Sequence, residues 1–494
     1  MKFVYLFIIL VVGGGAIFFL KGVKSAPIVE PEAEQVHIIE LRDDGFYPAE
    51  LSIHEGDTVT FNTTKDNFFW PASNSHPTHT IYPEFDPKEP IASDKEWSFK
   101  FDKPGTWRYH DHVRASAIGK IIVIGKNREE VYMDCQNLDK LNEQEREQCW
   151  DSLLSDTLKE KGVKASFEVF ANIYRTDPLF SFKGCHWYAH RLGEEFYAEE
   201  YPKYKDIEAL DLPPETYYCG FGFFHGWLEH MLRDDPDVEK TKRLCDYLDN
   251  QLSDERPRIR LNCYHAIGHG FVNEPFDPAS WGKAQEIINP ALEICDGVSN
   301  NPNEVRECLQ GAFNVISDWI FRAEYGLAPV IEDPLWLCPK QRTYEHTKAC
   351  YYEMAMHLNG LVGDDLSKLA EFTKDIEDDK IAWLVIDVVA AGATQRALSK
   401  DDYSEYIFAC RGLPERLRVG CLHGFAGGFM AHGEPEKEYV KALKFCGSEE
   451  LLEDEKHVCY KNIIRTFKGS YPREKVEGIC ATIDEAYRIY CSYE

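Results

Sequence analysis

Sixteen cysteines, all at or beyond Cys135, stand mostly in close couples separated by short polar spacers. The nearest-neighbour couples are Cys135 with Cys149, Cys245 with Cys263, Cys295 with Cys308, Cys338 with Cys350, Cys410 with Cys421, Cys446 with Cys459, and Cys480 with Cys491. By elimination Cys185 is left for Cys219. The number is even and C-x-x-C occurs nowhere, so disulfides made in an oxidising compartment are expected rather than a zinc framework. Each closure of a loop of about fifteen residues restricts the unfolded chain enough to add roughly 3 kcal/mol.

From Lys126 onward apolar residues recur at three- and four-residue spacing, which predicts helices. The second cysteine of a couple opens an aromatic, glycine-rich stretch, as in CGFGFFHGWLEH from Cys219, CYHAIGHGF from Cys263 and CLHGFAGGF from Cys421, and CHWYAHRLGEEF from Cys185 is of the same kind. The simplest geometry is a helical hairpin whose disulfide ties the end of one helix to the start of the next. Intervals of 32 to 71 residues between these openings suit a solenoid with insertions. Its surface is a candidate docking face for an envelope protein partner.

This helical region has its own histidines. His186 and His190, and His265 and His269, are four apart and share a helix face, with Glu194 continuing the first pair. His225 and His230 are five apart, and His423 follows Cys421. In-register stacking would bring His186, His190, His225, His265 and His269 together on a metal or a haem. The plainer alternative is that these imidazoles only bond neighbouring repeats, since neither C-x-x-C-H nor H-E-x-x-H is present. Trp187, Tyr188, Phe221, Phe223, Phe224 and Trp227 are expected in the core.

Before Lys126 the period changes to two. Short alternating segments from Val36 to Gly125, broken by Gly, Pro, Asp and Asn clusters, predict a β-sandwich. Val59, Phe61, Trp97, Phe99, Phe101, Trp107 and Tyr109 should line its interior. Within GTWRYHDHVRASAIG, Gly105 to Gly119, His110 and His112 are two apart in a strand and so share a face. A proline-stiffened upstream loop adds His76 and His79. Imidazole suits copper, zinc, iron and nickel, so the four histidines alone do not choose the ion.

Phe46-Tyr47-Pro48, Glu55-Gly56-Asp57-Thr58-Val59-Thr60-Phe61 and Lys103-Pro104-Gly105-Thr106-Trp107-Arg108-Tyr109, leading to a loop that ends at Gly119, resemble the cupredoxin family. The resemblance spans about residues 36–125 and implies a Greek-key β-sandwich holding one mononuclear copper. By position, His76 or His79 fills the upstream ligand and His112 the second, while His110 stands where that family has its cysteine. No cysteine or methionine lies in this stretch, so the electron-transfer site of a blue copper protein is not matched. The H-x-H pattern looks more like that of multicopper oxidases, whose clusters draw histidines from two domains.

Lys and Arg number 55 against 84 Asp and Glu, a formal charge of -29, which repels phosphate backbones and excludes nucleic acid as a partner. Phe3 to Leu20 carry no charge and lie between Lys2 and Lys21. The run exceeds a usual signal-peptide core and reaches the lower limit of a span, favouring an uncleaved membrane anchor over a cleaved signal. The expected organisation is multidomain β + α: anchor or signal 1–25, linker 26–35, cupredoxin-like sandwich 36–126, and an all-α disulfide-stapled helical-repeat domain 127–494. The expected function is an extracytoplasmic, membrane-tethered copper-binding protein of the periplasm or cell surface. A type 2-like copper oxidoreductase and a metal-free envelope scaffold are the alternatives.

Overall fold

The computed structural model describes residues 35–43, 45–64, 67–74, 79, 81–124, 143–177, 179–180, 184–203, 209–253, 258–272, 278–362, 366–397, 402–432 and 437–492. The N-terminal segment 1–25, linker residues 26–34 and the 126/127 boundary lie outside them. No described helix is long and apolar enough to cross a membrane.

Eight strands form the first part: β1 (Val36–Arg42), β2 (Gly45–Tyr47), β3 (Glu50–His54), β4 (Thr58–Thr63), β5 (Pro71–Ser73), β6 (Trp97–Lys100), β7 (Gly105–Asp111) and β8 (Arg114–Ile124). They make two four-stranded sheets, ordered β2-β1-β4-β6 and β3-β8-β7-β5. The β1–β4 and β3–β8 pairs are parallel and the other pairs antiparallel. Alternation works as expected: Val59, Phe61, Phe101, Trp107 and Tyr109 are buried between the sheets, and Trp97 and Phe99 pack against them.

The expected loop up to Gly119 is instead strand. After His112 and Val113 the chain turns directly into β8, which pairs with β7 across a register irregularity at His110 and Asp111. Gly119 does not close a loop. It lies opposite Tyr109, whose ring would stand 2.2 Å from a Cβ at that position. A loop is what the closing glycine and the family resemblance imply; the chain is instead registered on β7 by the pairs Arg114 with Asp111 and Ile118 with His110.

The rest is helical: α1 (Glu143–Lys161), α2 (Val163–Thr176), α3 (Cys185–Glu195), α4 (Gly222–Asp234), α5 (Val238–Leu252), α6 (Ile259–Phe271), α7 (Ala284–Gly297), α8 (Pro302–Arg322), α9 (Tyr344–Val362), α10 (Leu369–Thr373), α11 (Asp379–Ala397), α12 (Ser404–Gly412), α13 (Glu415–His432), α14 (Glu438–Cys446), α15 (Glu453–Ser470) and α16 (Arg473–Thr482). An inner row runs α3, α4, α6, α8, α9, α11, α13, α15, each packed on the next. Helices α5, α7, α12 and α14 lie outside it, and disulfides 245–263, 295–308, 410–421 and 446–459 join each to its inner neighbour.

Disulfides 185–219, 338–350 and 480–491 also close, and Cys149 is disulfide-bonded, with its expected partner Cys135 outside the described residues. No described cysteine is free, which fits an oxidising, extracytoplasmic compartment. In α6, α8, α9, α13 and α15 the second cysteine lies in the second turn rather than at the helix start. The staple therefore holds helix flanks together and leaves the first turn to direct the chain.

Inner helices approach one another through glycines. A Cβ at Gly268 of α6 would stand 1.9 Å from the Cys308 carbonyl oxygen, and one at Gly311 of α8 would stand 1.9 Å from that of His265. The two parts of the chain also touch, since Arg108 of β7 pairs with Asp156 and lies 3.8 Å from Asp151, both on α1.

Backbone cannot rotate out of the way as a side chain can, so Gly311→Ala must push α6 and α8 apart. A loss of about 1–3 kcal/mol is expected, the usual cost of overpacking. Thermal unfolding followed by circular dichroism should show a lowered midpoint, and an unchanged midpoint would mean that the helices part without cost.

Candidate metal centre

Three of the four histidines expected in the sandwich come together. His79 follows β5, His110 lies on β7, and His112 sits in the turn before β8. One potential ligand atom from each lies within 4.8 Å of the others. His76 lies outside the described residues. His79, His110 and His112 are 3%, 1% and 1% exposed, so the cluster has left water. His79 adopts φ +50°, a left-handed conformation that an imidazole side chain rarely takes, consistent with a backbone bent to aim its ring.

Two of the three rings are held by their other edge. His79 Nδ1 lies 2.6 Å from Asp86 Oδ2, and the same carboxylate accepts from Trp70 Nε1, from the Lys88 backbone N–H, and from Lys88 Nζ. Burial alone would raise the Asp86 pKa, but His79 and Lys88 hold it well below the usual carboxylate range. Asp86 therefore stays an acceptor, and the proton of His79 is fixed on Nδ1. Its Nε2 lone pair then faces His112 Nδ1 at 3.0 Å. His110 Nδ1 donates to Asn74 Oδ1 at 3.2 Å, which leaves Nε2 as its coordinating atom.

These residues fit a transition ion. Two imidazole nitrogens bound to one ion at about 2.0–2.1 Å stand roughly 3 Å apart at ordinary coordination angles, the spacing found between His79 and His112. The donor set is neutral nitrogen, which suits copper or zinc rather than calcium or magnesium. Burial lowers the pKa of His79, and lowers those of His110 and His112 further, with His79 as a like-charged neighbour.

A lid comes from far along the chain. The Tyr325 ring, just beyond α8, lies 6.3 Å from His112, tilted 24°, and 6.0 Å from Trp70, while Trp70 is 4.5 Å from His112. The sequence pointed to the histidines but not to Asp86, Asn74, Trp70 or Tyr325. A carboxylate seven residues after His79 is the one available signal, because metal-binding imidazoles commonly carry such a partner. Nothing local marks Tyr325.

The helical histidines divide. His225, His265 and His269 bring ligand atoms within 4.8 Å of one another. His190 is instead committed on both sides, Nδ1 to Glu194 at 2.9 Å and Nε2 to Glu229 at 3.1 Å, and its pKa rises to about 10: burial opposes, but Glu229 and Glu194 prevail. His186 Nδ1 donates to the Cys219 carbonyl. His423 pairs with Asp387, and His230 Nδ1 donates to the Gly226 carbonyl.

No family model matches the chain, and no curated protein matches it. Among solved structures, a reduced amicyanin mutant is similar at 20% identity over 18% of this chain and 81% of its own, with a TM-score of 0.16. A purple cupredoxin from Nitrosopumilus maritimus is similar at 18% identity over 18% of this chain and 98% of its own, TM-score 0.16. Plastocyanin from Dryopteris crassirhizoma is similar at 19% identity over 17% of this chain and 98% of its own, TM-score 0.15. Likeness on this scale assigns neither their family nor their chemistry to this chain.

Asp86→Asn keeps the size of the side chain and removes its charge, so His79 loses its fixed tautomer. Metal affinity is expected to fall about 10–100-fold, the usual effect of removing such a partner. Competitive titration against a chelator reads this directly, and an unchanged affinity would place His79 outside the coordination sphere.

Proposed function

We propose that this chain is an extracytoplasmic copper-binding protein whose sandwich holds one copper through His79, His110 and His112, with His76 as a further candidate ligand. The single observation that carries this reading is the buried all-nitrogen triad, oriented by Asp86 and Asn74. With no described cysteine free, a thiolate is missing from the donor set. When bound, copper would supply a redox-active ion in a nitrogen field, without the thiolate charge transfer of blue sites. Binding is favoured over turnover because the rings of Trp70 and Tyr325 lie against the cluster.

The N-terminal anchor at 1–25, the separate folding of 36–126 and 127–494, and the docking of an envelope partner on the helical repeats belong to the same proposal. They are supported by the uncharged N-terminal run, the change of hydrophobic period and the inner row of helices.

Copper titration of the full chain with paramagnetic resonance is the test. A wide hyperfine splitting with no intense blue band is expected. His112→Ala should lower affinity by more than about a hundredfold, exceeding the loss of a mere supporting residue, while His54→Ala on β3 should not. Equal affinities in the two variants, or a blue spectrum, would remove the site.

Exposed imidazoles lose copper near pH 6, because protons compete below an unperturbed pKa of about 6.5. Burial pushes all three sandwich pKa values down, so protons compete less at a given pH. Copper retention should therefore extend to lower pH than in a peptide of exposed histidines. Titration of bound copper against pH checks this, and release centred near 6.5 would contradict it.

A further inference from the structure

The helical region contains a histidine cluster that the sandwich site does not use. His225 lies on α4, and His265 and His269 lie one turn apart on α6. The ring of His225 is 4.5 Å from that of His269 and 5.3 Å from that of His265, and the α6 pair are 5.0 Å apart. His225 and His269 are 6% and 7% exposed. His225 Nδ1 and His269 Nε2 are buried without a hydrogen-bond partner among the described residues. A buried polar nitrogen left unsatisfied is costly, and a trio of imidazoles with two such nitrogens is a poor packing solution where leucine would serve.

The surroundings orient the rings as a metal site does. His269 Nδ1 donates to Glu229 Oε1 at 2.8 Å, which turns Nε2 into the cluster, and Glu229 Oε2 is held by His190. His190 in turn reaches Glu194, so two carboxylates and one imidazolium stand behind one coordinating imidazole. In the sandwich His79 is held by Asp86 in the same manner. Close helix packing sets the spacing: a Cβ at Gly270 of α6, one residue after His269, would stand 3.0 Å from the Leu228 carbonyl oxygen of α4, so glycine there lets the two helices lie close.

We infer that His225, His265 and His269 form a second centre that binds a first-row transition ion of the copper and zinc class, with Glu229 as the residue that positions His269. Three neutral nitrogen donors leave a fourth position for water or a small ligand, the arrangement of open His-ligated sites. Carboxylate oxygen enters only behind the ligands, so calcium and magnesium are poor occupants.

The test uses the full disulfide-bonded chain, with copper(II) and zinc(II) salts added separately and bound metal measured after gel filtration. A His79→Ala/His112→Ala variant, in which the sandwich site is disabled, should still retain one ion of either metal. Adding His269→Gln should abolish that retention with circular dichroism unchanged, and Glu229→Gln should weaken it by about tenfold or more. If His269→Gln fails to fold, His265→Gln, at a partly exposed position, makes the same comparison. Loss of all metal in the His79→Ala/His112→Ala variant, or retention unaffected by His265→Gln and His269→Gln, would overturn the second centre. Failure of the sandwich site alone would show differently: the parent would retain one ion and His112→Ala would not change it.

Discussion

The helical region depends on how closely two helix backbones can approach. Glycine replaces a side chain at the crossings of α3 with α4, of α4 with α6 and of α6 with α8, so carbonyl oxygens of one helix lie at or close to where a Cβ of the other would be. Such contact brings side chains one turn away into reach of one another across the seam. This is why His225 of α4 meets the two histidines of α6, and why Glu229 can contact His190 and His269 together. Disulfides then fasten the outer helices to this row and hold the register in an oxidising medium, where they are stable.

The sandwich solves a related problem with a different device. An alternating strand delivers His110 to the buried side, and the irregularity beside Asp111 with the short turn after it lets His112 reach the same place. Asp111 is drawn into structure, accepting from the Trp70 backbone N–H at 2.8 Å. The left-handed backbone of His79 turns the third ring inward, where Asp86 locks it. Apart from the charge network around Asp86, the neighbourhood is aromatic and dry.

What could be read from the chain follows the range of the interactions. Strand period, helix period and cysteine couples are local patterns, and they yield the sandwich, the helical row and the seven disulfides described. Paired histidines on one strand or one helix face are equally local. The supporting residues are not: Asn74 meets His110 across 36 positions and Glu229 meets His269 across 40, with no periodicity to announce them. The strand from Arg114 was hidden for a related reason, since its register on β7 is set by the pairs Arg114 with Asp111 and Ile118 with His110 rather than by a local pattern. His190 looked like a ligand by spacing alone, and only the two carboxylates around it reveal an imidazolium.

Tyr325 gives the molecule a chronology. The ring against His112 belongs to a residue translated more than two hundred positions after it, and held in place by the Trp319 and Trp281 rings at 4.7 and 6.1 Å. A sandwich emerging first thus offers its histidines without this cover. Once α8 has docked, the Tyr325 ring lies against His112 and the surroundings of the cluster are complete. The last ring around the histidines of the sandwich is therefore supplied by the helical part, and the site is whole only when both parts of the chain have been made.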